Sequence, residues 1–269
     1  MSVSLRTLAC GLAVVVCGAA ASQAADIPKP IYKAAPVMAP AFNWSGFYGG
    51  IHVGYGWGSD NVDIGIVDPA GIAQAAAAAG VFPVNYSIPR DGVLGGVQIG
   101  YNRQIGSWVW GVEADFSGTD LSGSKTVLVP PVGAFPNLSN VSQDMDWFGT
   151  VRLRVGYAMN DWLFYGTGGL AYGHVKYSYA QTNVPFGGTV NIAASDSKIE
   201  LGWTAGAGIE RAWGAWTARL EYLYFDLGSH ELSAVHNLAP TVFFLPKFDN
   251  TGSIVRVGLN RKFGWAGLP

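Results

Sequence analysis

The chain has 269 residues and a formal charge of −2, with 49% hydrophobic and only 13% charged residues. A disordered chain needs low hydrophobicity and high charge, so disorder is excluded for most of the length. The near-balanced charge leaves no basic footprint for nucleic acid, and a helical membrane protein would gather its apolar residues into runs of ~20, which only Leu8–Ala21 approaches.

In chain order, residues 1–24 read as a secretion signal. Met1–Thr7 carries Arg6, Leu8–Ala21 is apolar over 14 residues, and Ser22-Gln23-Ala24 places small residues before Ala25. That span is short for a membrane anchor, so cleavage and export are expected. Cys10 and Cys17, the only cysteines, both fall inside it. The exported protein is therefore expected to lack disulfides, thiolate metal sites and a cysteine nucleophile. Residues 25–43 read as a periplasmic linker: Pro28, Pro30, Pro36 and Pro40 fix φ and remove backbone donors, which favours extended chain.

From Trp44 to Pro269 the pattern has period two, the signature of strands with two different faces. In Gly46–Gly58, Phe47, Ile51, Val53, Tyr55 and Trp57 share one face, and Tyr48, His52 and several glycines share the other. Gly92–Gln104, Trp108–Leu121, Asp146–Tyr157, Lys198–Arg211, Trp216–Gly228 and Ser253–Phe263 follow the same rule. Trp162–Tyr179 is a strand of ambiguous register. Three connections are short, at Ile105–Ser107, Ala158–Asp161 and Ala212–Ala215, and suit tight hairpins. Four are long, at Ser59–Asp91, Ser122–Met145, Ala180–Ser197 and Ser229–Gly252, and read as loops, with Ala75–Ala79 either a short helix or low-complexity chain.

An even number of alternating strands joined by short turns at one end and long loops at the other describes a transmembrane barrel. The expected fold is all-β: an eight-stranded antiparallel up-and-down barrel with short periplasmic turns and long extracellular loops. Lipid offers no hydrogen-bond partners, so such a sheet must close, and eight strands leave a lumen that side chains fill. The inward face is expected to carry a charge network of Glu113, Asp115, Arg152, Arg154, Glu210, Arg219, Glu221, Arg256 and Lys262. Trp44, Trp57, Trp108, Trp110, Trp147, Trp162, Trp213 and Trp216, with Trp265, fall near the ends of these strands and read as an aromatic girdle; Trp203 lies further inside.

The stretch AADIPKPIYKAAPV followed by WSGFYGGIHVGYGWG resembles the small porin-like outer-membrane β-barrel family of alphaproteobacteria. That family includes immunodominant and haemin-binding surface proteins. GTVRLRVGYAMNDWLFYGTGGLAYG, GWTAGAGIERAW and EYLYFDLG are similar to its signatures, and the likeness thins in the four long connections. The resemblance implies residence in the outer membrane, with membrane lipid and lipopolysaccharide as surroundings, as a monomer or homo-oligomer. It also implies a last strand read by the barrel-assembly machinery, a signal that Val255, Val257, Leu259 and Phe263 match. Arg261, where an apolar residue is common, and the six residues Gly264–Pro269 depart from it.

No catalytic constellation stands out, and neither an enzyme nor a cofactor is expected. His230 and His236 are the candidates for a haem ligand, weighed against two plain solvent-exposed histidines. Ser229-His230 is the one adjacent nucleophile–base pair, with no orienting acid in view. Gly206-Ala207-Gly208 lacks the setting of a dinucleotide fingerprint. The expected function is an envelope barrel with at most a narrow pore for small solutes. The alternative is a receptor or adhesin acting through its extracellular loops.

Overall fold

The computed structural model describes residues 42–80, 84–129, 137–183, 190–236 and 239–263. The expected signal, almost all of the linker, Trp265 and the other residues after Phe263 lie outside the described residues.

The strands are β1 (Gly46–Val67), β2 (Asn85–Ile105), β3 (Trp108–Val129), β4 (Asn137–Met159), β5 (Trp162–Asn183), β6 (Val190–Trp213), β7 (Trp216–Glu231), β8 (Ala234–His236) and β9 (Ala239–Phe263), with a helix α1 (Ile72–Ala78) between β1 and β2. Eight of them pair antiparallel in the order β1-β2-β3-β4-β5-β6-β7-β9, and β1 pairs with β9 to close the ring. The three-residue β8 pairs with β9 alone. The tight turns carry the backbone their sequences foretell: Gly106, Asn160 and Gly214 all have positive φ.

All four long connections, expected as loops, contain strand: three are mainly strand, and the fourth, Ser59–Asp91, keeps α1 and gives about half of its length to β1 and β2. The long strands run 21–25 residues, apart from β7 at 16, about twice the ~9–11 needed to span a membrane. The barrel therefore continues outward as a turret. The reason lies in the inward face. Val62, Ile88, Val141, Val175, Phe225 and Phe248 are fully buried and belong to one continuous apolar core. Outward, the same stretches present Asn61, Ser87, Asn140, Ser142, Lys176 and Ser178.

Nearer the periplasmic turns the faces are reversed. Ile51, Val97, Val151, Leu170, Leu201 and Val257 are outward and at least half exposed, while polar and charged side chains turn inward. This band covers roughly Phe47–Trp57 on β1 and its counterparts on the other seven ring strands. The register of β5 is fixed here, with Trp162 and Phe164 outward and Leu163, Tyr165 and Thr167 inward. Within the eight-strand ring, three seams carry a register shift, between Gly118 and Leu121, Met145 and Trp147, and Asp226 and Ser229. All three lie where band meets turret. A bulge bends a strand and re-aims its side chains, which suits such a junction.

Candidate functional site in the barrel lumen

Four carboxylates and four guanidinium groups fill the centre of the band. Glu113 on β3 receives Arg152 at 2.6 Å, Arg219 at 2.5 Å and Arg154 at 3.4 Å, together with the Tyr48 hydroxyl at 2.7 Å. Asp115 accepts from Arg152 and Arg256 at 3.0 Å each and from Thr150 at 2.6 Å. Glu221 lies 2.6 Å from Arg256, 3.1 Å from Arg152 and 2.9 Å from the Tyr165 hydroxyl. Glu210 accepts from Arg154 at 2.7 Å and from the Asn260 amide at 3.0 Å, and Thr217 donates to it as well. All eight charged residues are at most 4% exposed.

β3 and β7 lie opposite each other in the ring, so the Glu113–Arg219 bridge crosses the lumen. Buried charges survive only when paired and hydrogen-bonded, and here no carboxylate depends on a single partner. The Arg154 guanidinium also lies 3.9 Å from the centre of the Tyr165 ring. Two glycines make room for the tyrosines. A Cβ at Gly100, directly across from Tyr48, would fall 2.3 Å from its hydroxyl, and one at Gly208, across from Tyr165, would fall 2.5 Å from that hydroxyl. Above this layer His52 bridges Gln98 at 2.5 Å and Ser117 at 2.7 Å, and Gln98 donates to Asn260 at 2.6 Å.

Lys262, expected in this network, stands apart from it. It sits partly exposed at the periplasmic mouth, donates to the Asn43 carbonyl and lies 5.3 Å from the Phe42 ring centre. Four arginines therefore face four carboxylates. Trp44 does not join the girdle either. It is 3% exposed, packs edge-on against Phe42 and lies among Val109, Leu163, Tyr165 and Ala212, where it plugs the mouth. Its backbone N–H donates to Gln104 at 2.8 Å. Trp57, Trp108, Trp110, Trp162, Trp213 and Trp216 face outward and are exposed, and Trp147 is half-buried beside Tyr172 and His174. Because the strands continue past the band, Trp57, Trp147 and Trp203 lie in mid-strand rather than near strand ends. Val255, Val257, Leu259 and Phe263 all face outward, and Arg261 between them holds its guanidinium 5.7 Å from the Trp216 ring centre.

In the turret, His230 is buried on β7 rather than solvent-exposed on a loop. It stacks on Tyr177, and its two ring nitrogens face carboxylates: Nε2 lies 3.2 Å from Asp196 and Nδ1 3.4 Å from Glu200. Each ring nitrogen therefore has a carboxylate neighbour. His236 lies on the short β8, where burial lowers its pKa. Ser229 is exposed whereas His230 is buried, so the adjacent pair looks to opposite faces and makes no nucleophile–base contact. The acids beside His230 come from β6 and were invisible to sequence spacing. A lone ion pair also lies in the turret, Arg90 to Asp60 at 3.1 Å, with both side chains at most 1% exposed. Burial pushes the Asp60 carboxyl up to about 6, against the pull of Arg90. α1 is anchored at its start by Asp68, which accepts from the backbone N–H groups of Ala70 and Ala73 and is held below the usual carboxylate range by them.

A family model described as an outer membrane protein beta-barrel domain matches residues 10–263. The chain is 38% identical over 250 residues to a 31 kDa outer-membrane immunogenic protein of Brucella melitensis, which covers 91% of this chain and 95% of the relative. It is 28% identical over 263 residues to a 25 kDa outer-membrane immunogenic protein of Brucella abortus, at 97% and 99% coverage. Among solved structures, the outer membrane protein OprG from Pseudomonas aeruginosa aligns with 81% of this chain and 97% of its own, at 14% identity and a TM-score of 0.47.

Proposed function

Since the chain belongs to the outer membrane protein β-barrel family and resides in the outer membrane, we propose that it serves the envelope as a closed, non-enzymatic barrel that does not conduct solutes through its lumen. The observation that carries this reading is the Glu113–Arg219 bridge at 2.5 Å between opposite strands. Trp44 blocks the periplasmic mouth below it, and Phe148, Phe225 and Phe248 fill the turret above it. A solute would have to break several buried ion pairs and displace an apolar core. The protein then contributes a stable wall and an exposed turret, the feature in keeping with the immunogenic names of its relatives.

Planar-bilayer recording of the purified protein tests this. The expected trace is flat at moderate voltage, and Glu113→Ala with Arg219→Ala is expected to raise the frequency of small openings. Large, stable, ohmic steps from wild-type monomers would refute the closed lumen.

A further inference from the structure

Among the described residues, three arginines face outward, Arg103, Arg211 and Arg261, and all three stand at the periplasmic rim. Each lies directly across the ladder from a tryptophan: Arg103 from Trp110, Arg211 from Trp162 and Arg261 from Trp216. The guanidinium of Arg211 is 5.3 Å from the Trp162 ring centre. None of the three has a carboxylate partner within ion-pair distance among the described residues. The twelve described carboxylates outside the lumen network and the short turns all lie on the extracellular side of the band.

The surroundings of Arg211 differ from those of Arg261. On its second side the ladder partner is Ala218, whose small side chain leaves a groove of about 590 Å³ on the lipid-facing wall. Trp162 and Trp213 flank the groove, and Ile209 and Leu220 continue it toward the centre of the membrane band. Arg261 also has a small partner, Gly49, but there the Phe263 ring fills the space: a Cβ at Gly49 would fall 3.2 Å from it.

We propose that the Arg211 groove binds a glycerophospholipid of the periplasmic leaflet, with the phosphodiester on the guanidinium and one acyl chain along Ile209 and Leu220. The charge argues for it. A guanidinium offers a planar fork of donors that matches a phosphate in two-point contact. Facing lipid at headgroup depth, it has no carboxylate within ion-pair distance among the described residues, the exposed Asp161 of the neighbouring turn included, and the leaflet supplies phosphates at that level. Tryptophans prefer the same zone, so the pair holds the headgroup at the depth where phosphate is found. The shape argues for it too, since an apolar trough runs from the cation into the hydrocarbon layer.

Native mass spectrometry of the protein in detergent micelles tests the site. The probes are dimyristoylphosphatidylglycerol, dimyristoylglycerol and inorganic phosphate. Wild type is expected to retain one phosphatidylglycerol whose apparent affinity falls about tenfold in Arg211→Gln and less in Arg211→Lys. Ala218→Phe, which fills the groove and keeps the charge, is expected to lose the lipid as well. Folding of each variant is checked by its gel shift before heating. Equal retention by wild type and Arg211→Gln would overturn the proposal, as would equal binding of the phosphate-free diglyceride. Inorganic phosphate binding as tightly as the lipid, and surviving Ala218→Phe, would make this a simple anion site and overturn the lipid assignment.

Discussion

Below Trp57, β1 turns Ile51, Val53 and Tyr55 outward and Tyr48 and His52 inward; above it, the same strand turns Asn61 and Asp63 outward and Val62 and Ile64 inward. The backbone does not change, and neither does the pairing with β2, which runs without a break from Gly46 to Asp63. What changes is the solvent outside the wall. Lipid rewards apolar side chains on the outside and leaves the polar ones to pair across the lumen. Water rewards the opposite arrangement, and the turret adopts the apolar interior of a soluble protein. The two regions also handle buried charge differently. The band meshes four cations with four anions, whereas the Arg90–Asp60 pair of the turret stands apart from any other ion pair among the described residues, in an apolar setting.

Breaking the meshed charges is expected to have the largest effect. Glu113→Ala leaves Arg152, Arg154 and Arg219 short of a partner. It should cost at least the ~3–5 kcal/mol of one broken buried pair, read by urea unfolding in micelles; a loss under ~1 kcal/mol would show that the network does not depend on Glu113.

The isolated pair is expected to behave otherwise. Arg90→Met alone strands Asp60 and should cost ~3 kcal/mol or more, while adding Asp60→Leu should restore stability to near or above wild type. The pH profile sharpens this. An unfolded aspartate titrates near 3.9, and Asp60 in the fold is held up at about 6. The folded state therefore binds the proton more tightly, so this group's contribution is present below about pH 4 and lost as pH rises through 6. Asp60→Asn should flatten that part of the stability profile; an unchanged profile would mean that Asp60 titrates as an ordinary surface acid.

The smallest effects separate the two outer surfaces. Val97→Arg places a charge on the lipid face of β2 at mid-band and should cost ~2–4 kcal/mol. Ser178→Arg, outward on the turret, should stay within ~0.5 kcal/mol of wild type. Similar costs at the two sites would put both surfaces in the same medium.

The band was legible in the sequence because its alternation is stark. Apolar residues at Ile51, Val53 and Tyr55 alternate with glycine and polar residues, and Glu113, Arg152 and Glu221 share the parity of the inward face. The turret was not legible, for a physical reason. In Asn137–Met145 the inward residues are Ser139, Val141, Gln143 and Met145, a mixture of polar and apolar that hides period two. Its Asn, Ser and Asp content also favours turns, and only pairing with β3 and β5 makes it strand. Paired glycines blurred the register of β5, where Gly168-Gly169 shows no face. Trp44 and Lys262 were misplaced because sequence gives the parity of a residue but not its height, and both sit at the mouth, where inward no longer means enclosed by the network. The acids around His230 come from a neighbouring strand, which no spacing within β7 could reveal.

The switch of solvent along a single strand is the centre of this account, and site-directed spin labelling of β5 measures it most directly. Cys10 and Cys17 are the only cysteines, so single cysteines placed at Phe164, Leu170, Tyr172, Lys176, Ser178 and Ala180 in a form lacking residues 1–24 give one label each. In lipid bilayers, labels up to Tyr172 should be relaxed by oxygen and shielded from a water-soluble nickel complex, and labels from Lys176 onward should show the reverse. Oxygen accessibility that persists through Ala180 would place the turret in lipid and contradict the division of the barrel into two regions.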